Sequence, residues 1–117
     1  MKKIAANSTN ILVLPNKMAT RRCITIHIDG TSTTTLVPEH KYRKFASTQL
    51  GIPEWEFEHL MLPQDLVMCV DENGQEKQLP LNKIATMSYG RPILGTVVIS
   101  RELPPLLTNL LHNPHRK

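Results

Sequence analysis

Two cysteines and two histidines are the residues of this chain that could assemble a metal site. Cys23 and His27 stand four positions apart in a stretch that alternates like a strand, so their side chains share one face. His59 and Cys69 lie in later segments and could complete a zinc set from neighbouring strands. Structural zinc sites favour closer spacings, such as Cys-x-x-Cys. We therefore expect no metal, no cofactor, and two buried, reduced thiols.

Three carboxylates alternate with aromatic residues in the middle of the chain. Glu54, Glu56 and Glu58 would lie on one face of a strand, about 7 Å apart. Such a row could bind a divalent ion. The row is better interpreted as a solvated acidic face or as a docking surface for a basic partner. These three glutamates are candidate partner-binding residues.

A basic group precedes this acidic row. Lys41, Arg43 and Lys44 fall on the outer face of a predicted helix. A solvated helix face is the simplest interpretation, and contact with a partner is the alternative, so these residues join the candidate partner-binding set. Together with Arg91, Arg101 and the basic tail, they could also contact nucleic acid.

Motifs of known enzyme classes are missing from the sequence. It contains no Gly-x-Ser-x-Gly elbow, phosphate-binding glycine loop or His-Glu-x-x-His helix, so no catalytic residue can be named. The histidines of the tail, residues 112–117, have no predicted fold around them to build a metal site. A non-enzymatic protein is the prediction, and a small enzyme of unknown class remains as an alternative.

Length and charge describe a single domain with segregated blocks of charge. A chain of 117 residues suits one core, with residues 1–10 as a flexible arm and 103–117 as a tail. No run is apolar enough for a membrane span or a signal peptide, so we expect a cytoplasmic protein. Formal charge is +6 over residues 1–50, −6 over 51–79 and +4 over 80–117. A dedicated DNA binder usually carries a more continuous basic stripe.

The first half of the chain predicts a hairpin followed by a helix. Residues 22–37 alternate in β-branched residues around Asp29-Gly30, which suits a type I′ turn. Pro38 suits the first turn of a helix that runs to Leu50, and Gly51 suits the position after its end.

The second half predicts further strands and two short helices. We expect a strand near 54–59, a hairpin over 66–79, a helix near 81–88, a central strand over 93–99 and a helix near 105–112. This order predicts an α+β fold, with a small antiparallel or mixed sheet and one main helix packed on a face. The predicted core comprises Ile24, Ile26, Ile28, Phe45, Leu50, Trp55, Phe57, Val67, Val70, Val97 and Ile99.

From Val37 to Ile99 the order of motifs resembles a family of small proteins of bacteria, phages and plasmids that has no established activity. The resemblance covers a little over half of the chain. It is carried by Gln49-Leu50-Gly51, the acidic-aromatic segment Glu54–Glu58, the segment from Val70 to Lys77, Leu79-Pro80-Leu81-Asn82, Ala85-Thr86 and the segment from Ile93 to Val98. It implies a mobile-element origin and supplies no catalytic or binding residue.

These observations favour a non-enzymatic interaction protein. The expected partner is a host or phage protein, and the expected role is that of a phage or plasmid accessory or host-takeover factor. A nucleic-acid-binding accessory protein is the second hypothesis. The sequence does not predict an oligomeric state.

Overall fold

Five antiparallel strands form one sheet in the computed structural model, which describes residues 19–103. The elements are β1 (Thr20–Ile26), β2 (Ser32–Pro38), a 3-10 turn (Glu39–Lys41), α1 (Tyr42–Leu50), a 3-10 turn (Glu54–Glu56), β3 (Phe57–Met61), β4 (Val67–Asp71), α2 (Lys83–Tyr89) and β5 (Val97–Leu103). The spatial order of the strands is β2-β1-β5-β4-β3. The predicted α+β class is therefore confirmed, with a purely antiparallel sheet.

The two helices cover opposite faces of this sheet. Side chains alternate along each strand, so Val97 and Val98 at the centre of the sheet point to different sides. Val98 packs in the cluster that contains Tyr42 and Ala46 of α1. Val97 packs in the cluster that contains Ala85 of α2. The central strand β5 is therefore buried on both faces, as its continuous apolar run predicts.

The first predicted hairpin is confirmed, but its turn is of another type. Strands β1 and β2 pair from Thr20 opposite Pro38 to Ile26 opposite Ser32. Of the two turn residues, only Gly30 has a positive φ, 92°, whereas a type I′ turn requires two such residues. The Asp29 carboxylate instead accepts hydrogen bonds from the backbone N–H and the hydroxyl of Thr31. This local bonding favours a longer loop closed by the glycine.

The main helix begins later than predicted. Residues 39–41 form a 3-10 turn and the α-helix runs from Tyr42 to Leu50, rather than from Pro38. The Arg21 guanidinium binds both carboxylate oxygens of Glu39, at 3.0 and 2.8 Å, and so ties the turn to β1. At the other end, Gly51 adopts the predicted left-handed conformation.

Two predictions for the acidic middle of the chain are wrong. Glu54–Glu56 is a 3-10 turn rather than the start of a strand. The predicted hairpin over 66–79 does not form, because β4 pairs with the preceding strand β3, and residues 72–78 make turns. Asp71 explains the second error: its carboxylate accepts hydrogen bonds from the Asn73 N–H and from Lys77, which folds the chain back on itself.

Part of the predicted core is also wrong. Ile26, Val70, Val97 and Ile99 are buried, and Ile24, Phe45, Leu50 and Phe57 pack half-buried against the core. Val67 is half-buried as well. Ile28 and Trp55 are instead 46% and 80% exposed. Ile28 lies in the hairpin loop and Trp55 in a 3-10 turn, where strand alternation no longer applies.

Asn82 joins the second helix to the sheet. Its side-chain oxygen accepts from the N–H of Ala85 and caps α2, which lies close to the predicted span 81–88. Its amide nitrogen donates to the carbonyls of Ile26 and Gly95, at 3.0 and 2.9 Å. Ile93 is buried, but it lies in the segment before β5. The strand itself begins at Val97 rather than at the predicted residue 93.

Several predictions fall outside the described residues. These are the arm over 1–10, the helix near 105–112 and the tail beyond residue 103. Within residues 19–103, no helix is long and apolar enough to cross a membrane.

Candidate functional site

The two thiols lie under α1 and are not bonded to each other. Cys23 and Cys69 are completely buried on the face that packs against this helix. Burial raises the pKa of each thiol to about 11, so little thiolate is present at neutral pH. No group of three histidine, cysteine or carboxylate side chains within residues 19–103 is arranged to hold a metal ion. The thiols are therefore poor candidates for a nucleophile.

A tyrosine and a histidine meet beside Cys69. The Tyr42 hydroxyl lies 3.1 Å from His59 Nε2. Burial, and then the nearby cations Arg43 and Arg21, lower the pKa of His59, while burial raises that of Tyr42. Both groups are thus neutral at pH 7, and they pack as a polar pair at the edge of the core.

The structure separates the three glutamates of the sequence pattern. The predicted shared strand face is wrong, because two of the three belong to the 3-10 turn. Glu54 pairs with Arg43 of α1 at 3.0 Å. Glu56 pairs with Lys77 at 3.0 Å, and Lys77 also binds Asp71. Glu58 makes no ion pair with a described residue.

The basic set is divided in the same way. Arg43 is held by Glu54 and also lies over the Phe57 ring, 5.3 Å from its centroid. Lys41 and Lys44 are exposed, form no ion pair within residues 19–103 and flank a shallow apolar depression of about 260 Å³. Arg43 is therefore a structural cation, and the two lysines remain open to a partner.

A larger groove lies beside the edge strand β3 and extends onto the face of the sheet that carries α2. It consists of two joined depressions, of about 610 and 290 Å³, which share Glu58, Glu72 and Gln75. Three exposed glutamates form its rim, and none of them has an ion-pair partner among the described residues: Glu58, Glu72 and Glu76. Its deeper part is lined by both apolar and charged side chains, including one cation: Leu60, Val70, Asp71, Tyr89, Arg91, Ile93 and Leu94. We call this feature the acidic groove.

The chain's one tryptophan lies in the turn that precedes the acidic groove and lines neither of its depressions. Trp55 lies in the 3-10 turn that leads directly into Phe57 and Glu58. The Glu72 N–H donates to the Glu56 carbonyl at 3.0 Å, which holds this turn against the rim. With 80% of its surface exposed, Trp55 contributes little to the core. Exposed tryptophans of this kind are typical anchors of protein interfaces.

Strand β3 supplies an open sheet edge along the same surface. It is hydrogen-bonded to β4 on one side, and no described residue pairs with its other side. Glu58 and Leu60 point toward the groove, since they alternate with Phe57 and His59. An extended segment could therefore pair with β3 and place side chains in the groove.

Sequence reasoning found only one member of the groove rim, Glu58. Glu72 and Glu76 fall within the predicted hairpin over 66–79, and Trp55 belongs to the predicted core. The signal that pointed to this surface was the block of negative charge over residues 51–79. No family model, curated protein or solved structure matches this chain.

Proposed function

We propose that this chain is a non-enzymatic binding protein that holds a basic segment of another protein in the acidic groove. The observation that carries the proposal is a groove rimmed by three carboxylates without an ion-pair partner among the described residues, with Leu60, Val70 and Ile93 in its deeper part and an exposed tryptophan in the turn that leads into it. Apolar anchors supply most of the affinity in such interfaces, and complementary charge directs the encounter.

The chemistry of the groove specifies the partner segment. Lysine or arginine side chains would meet Glu58, Glu72 and Glu76, and a cation could also lie against the Trp55 ring. At least one apolar side chain would enter the floor near Leu60. The low thiolate content of Cys23 and Cys69 is in keeping with a role that requires no nucleophile.

The resemblance to proteins of phages and plasmids suggests where the partner comes from. A mobile-element accessory or host-takeover factor in the cytoplasm would bind a host or phage protein. This origin rests on the resemblance alone, whereas the groove chemistry rests on the described contacts.

Nucleic-acid binding is the second candidate, because Lys41 and Lys44 are exposed and unpaired among the described residues. Phosphate contacts made by several cations would lose orders of magnitude of affinity between about 50 and 200 mM salt. The acidic groove would repel phosphates. Removal of the two lysine charges should therefore weaken nucleic-acid binding and leave protein binding at the groove unchanged.

Affinity capture from nuclease-treated host lysate separates them. We expect the tagged full chain to retain a protein that is lost with Trp55→Ala and with the triple change Glu58→Gln, Glu72→Gln, Glu76→Gln. The double change Lys41→Gln, Lys44→Gln is the matched control and should retain it. In lysate that has not been treated with nuclease, salt-sensitive retention of DNA or RNA that is lost only with the lysine changes would reject the groove in favour of nucleic acid.

A further inference from the structure

A second cleft lies at the opposite end of β4 from the acidic groove. It is an open cleft of about 740 Å³, lined by Arg21, Gln64, Asp65, Val67 and Arg101. The sheet register explains why space exists here. The pairing of β4 with β5 begins at Val67 opposite Ser100, so Arg101 lies one residue beyond the shared ladder.

Arg101 is incompletely bonded in this cleft. Its Nη2 donates to the Gln64 carbonyl at 2.7 Å. Its Nε is buried and finds no acceptor among the described residues. A buried donor without a partner destabilises the folded protein, and the effect is greater for a charged group. The guanidinium would recover this loss by turning toward an acceptor in the cleft.

The loop opposite Arg101 has an unusual backbone. Gln64 and Asp65 both have positive φ, 64° and 62°, a conformation that non-glycine residues seldom adopt. This backbone presents the Gln64 carbonyl to Arg101. Two consecutive residues in this conformation store strain, which is found preferentially at binding sites.

Arg21 forms another wall but is already engaged. It binds Glu39 through two nitrogens and donates to the Ser100 hydroxyl at 3.2 Å. Arg101 is therefore the guanidinium with capacity for a ligand. Asp65 is the carboxylate among the lining residues. Its charge weakens the attraction for a negative ligand but leaves the Arg101 nitrogens able to donate hydrogen bonds.

We propose that this cleft binds an oxyanion, a phosphate or carboxylate group, through the Arg101 guanidinium. A planar guanidinium donates two parallel hydrogen bonds to either group. When the ligand binds, the Arg101 Nε turns out of its buried position and Nη2 leaves the Gln64 carbonyl. Both nitrogens then donate to oxygens of the ligand. The inference is independent of the acidic groove and of the partner proposed for it.

Titration of the ¹⁵N-labelled full chain tests this site, with sodium phosphate and sodium acetate as probes against sodium chloride at equal ionic strength. We expect saturable shifts of the Arg101 Nε–H and of the Gln64 and Asp65 amides. Saturation by phosphate alone would identify a phosphate group as the ligand, and saturation by acetate alone a carboxylate. Trp55→Ala should leave the titration unchanged, which separates this result from that of the groove.

Variants make the assignment specific. Arg101→Gln should lower the affinity at least tenfold, since the charge-assisted bonds are lost. Asp65→Asn should raise it by about threefold, because a nearby like charge is removed. Arg91→Gln, outside the cleft, is the matched control and should have no effect. Equal shifts in chloride would overturn the proposal. So would saturable binding that persists unchanged in a folded Arg101→Gln variant, or binding that Asp65→Asn does not alter.

Discussion

The floor and the rim of the acidic groove are built from neighbouring residues with opposite roles. Asp71 is buried and its carboxylate binds Lys77 and the Asn73 N–H. Glu72, the next residue, is exposed and has no ion-pair partner among the described residues. One position along the chain thus separates a carboxylate that shapes the fold from one that is free to meet a partner. Changes at the floor should therefore alter stability, and changes at the rim should alter binding.

The largest effect is expected behind the floor, at Asn82→Ala. The change removes the cap of α2 and leaves the carbonyls of Ile26 and Gly95 without a donor. We expect a loss of about 3 kcal/mol in the free energy of unfolding, measured by urea titration. Ser88→Ala, on the exposed side of α2, is the control and should change little. A loss below about 1 kcal/mol at Asn82 would show that water replaces these bonds.

The thiols give the next largest effect. With a pKa of about 11 rather than the ordinary 9.0, Cys23 and Cys69 carry about a hundredfold less thiolate at pH 8 than they would in an unfolded chain. Reaction with a soluble disulfide reagent should be at least this much slower in the native protein than in urea. Rapid labelling of the native protein would place a thiol at the surface.

The same pKa values predict how stability depends on pH. Between about pH 9 and pH 11 the unfolded thiols ionise while the folded ones remain protonated. The unfolded state then binds fewer protons, so the free energy of unfolding falls as pH rises through this range. Urea titrations at pH 8 and pH 10 check this sign. Replacement of both cysteines by alanine should reduce the difference, and the raised pKa of the buried Tyr42 should preserve part of it.

At the rim, Trp55→Ala should weaken partner binding by roughly 10- to 30-fold, as expected for an interface anchor. The melting temperature should stay unchanged, because the side chain is 80% exposed. Met87 is 82% exposed on α2 and does not line the groove, so Met87→Ala is the matched control. An equal loss of affinity in both variants would argue against the groove.

The smallest expected effect is a difference in stability between variants of the two adjacent carboxylates, Asp71 and Glu72. Asp71→Asn should lower the denaturation midpoint, since it weakens the bonds to Lys77 and Asn73. Glu72→Gln should leave the midpoint unchanged. Parallel urea titrations of the two variants provide the comparison, and equal shifts would mean that the rim also stabilises the fold.

The fold was more accessible from the sequence than the site. Alternation in β1 and β2, the spacing of Tyr42 and Ala46, and the apolar run into β5 predict the sheet and its main helix correctly. The pattern failed at Trp55, where Pro53 and local hydrogen bonds favour a 3-10 turn over a strand. The groove depends on the pairing of β4 with β3 and on a turn closed by Asp71. Neither can be deduced from alternation alone.

Photo-cross-linking tests the central proposal most directly. A photoreactive phenylalanine analogue would replace Gln75, an exposed residue that lines both depressions of the groove, and in a control would replace Thr34, an exposed residue on the opposite edge strand β2. We expect the Gln75 position to capture one protein from host lysate, joined through a segment with lysine or arginine beside an apolar residue. Capture of nucleic acid, or capture of the same proteins from Thr34, would contradict binding of a basic segment at the acidic groove.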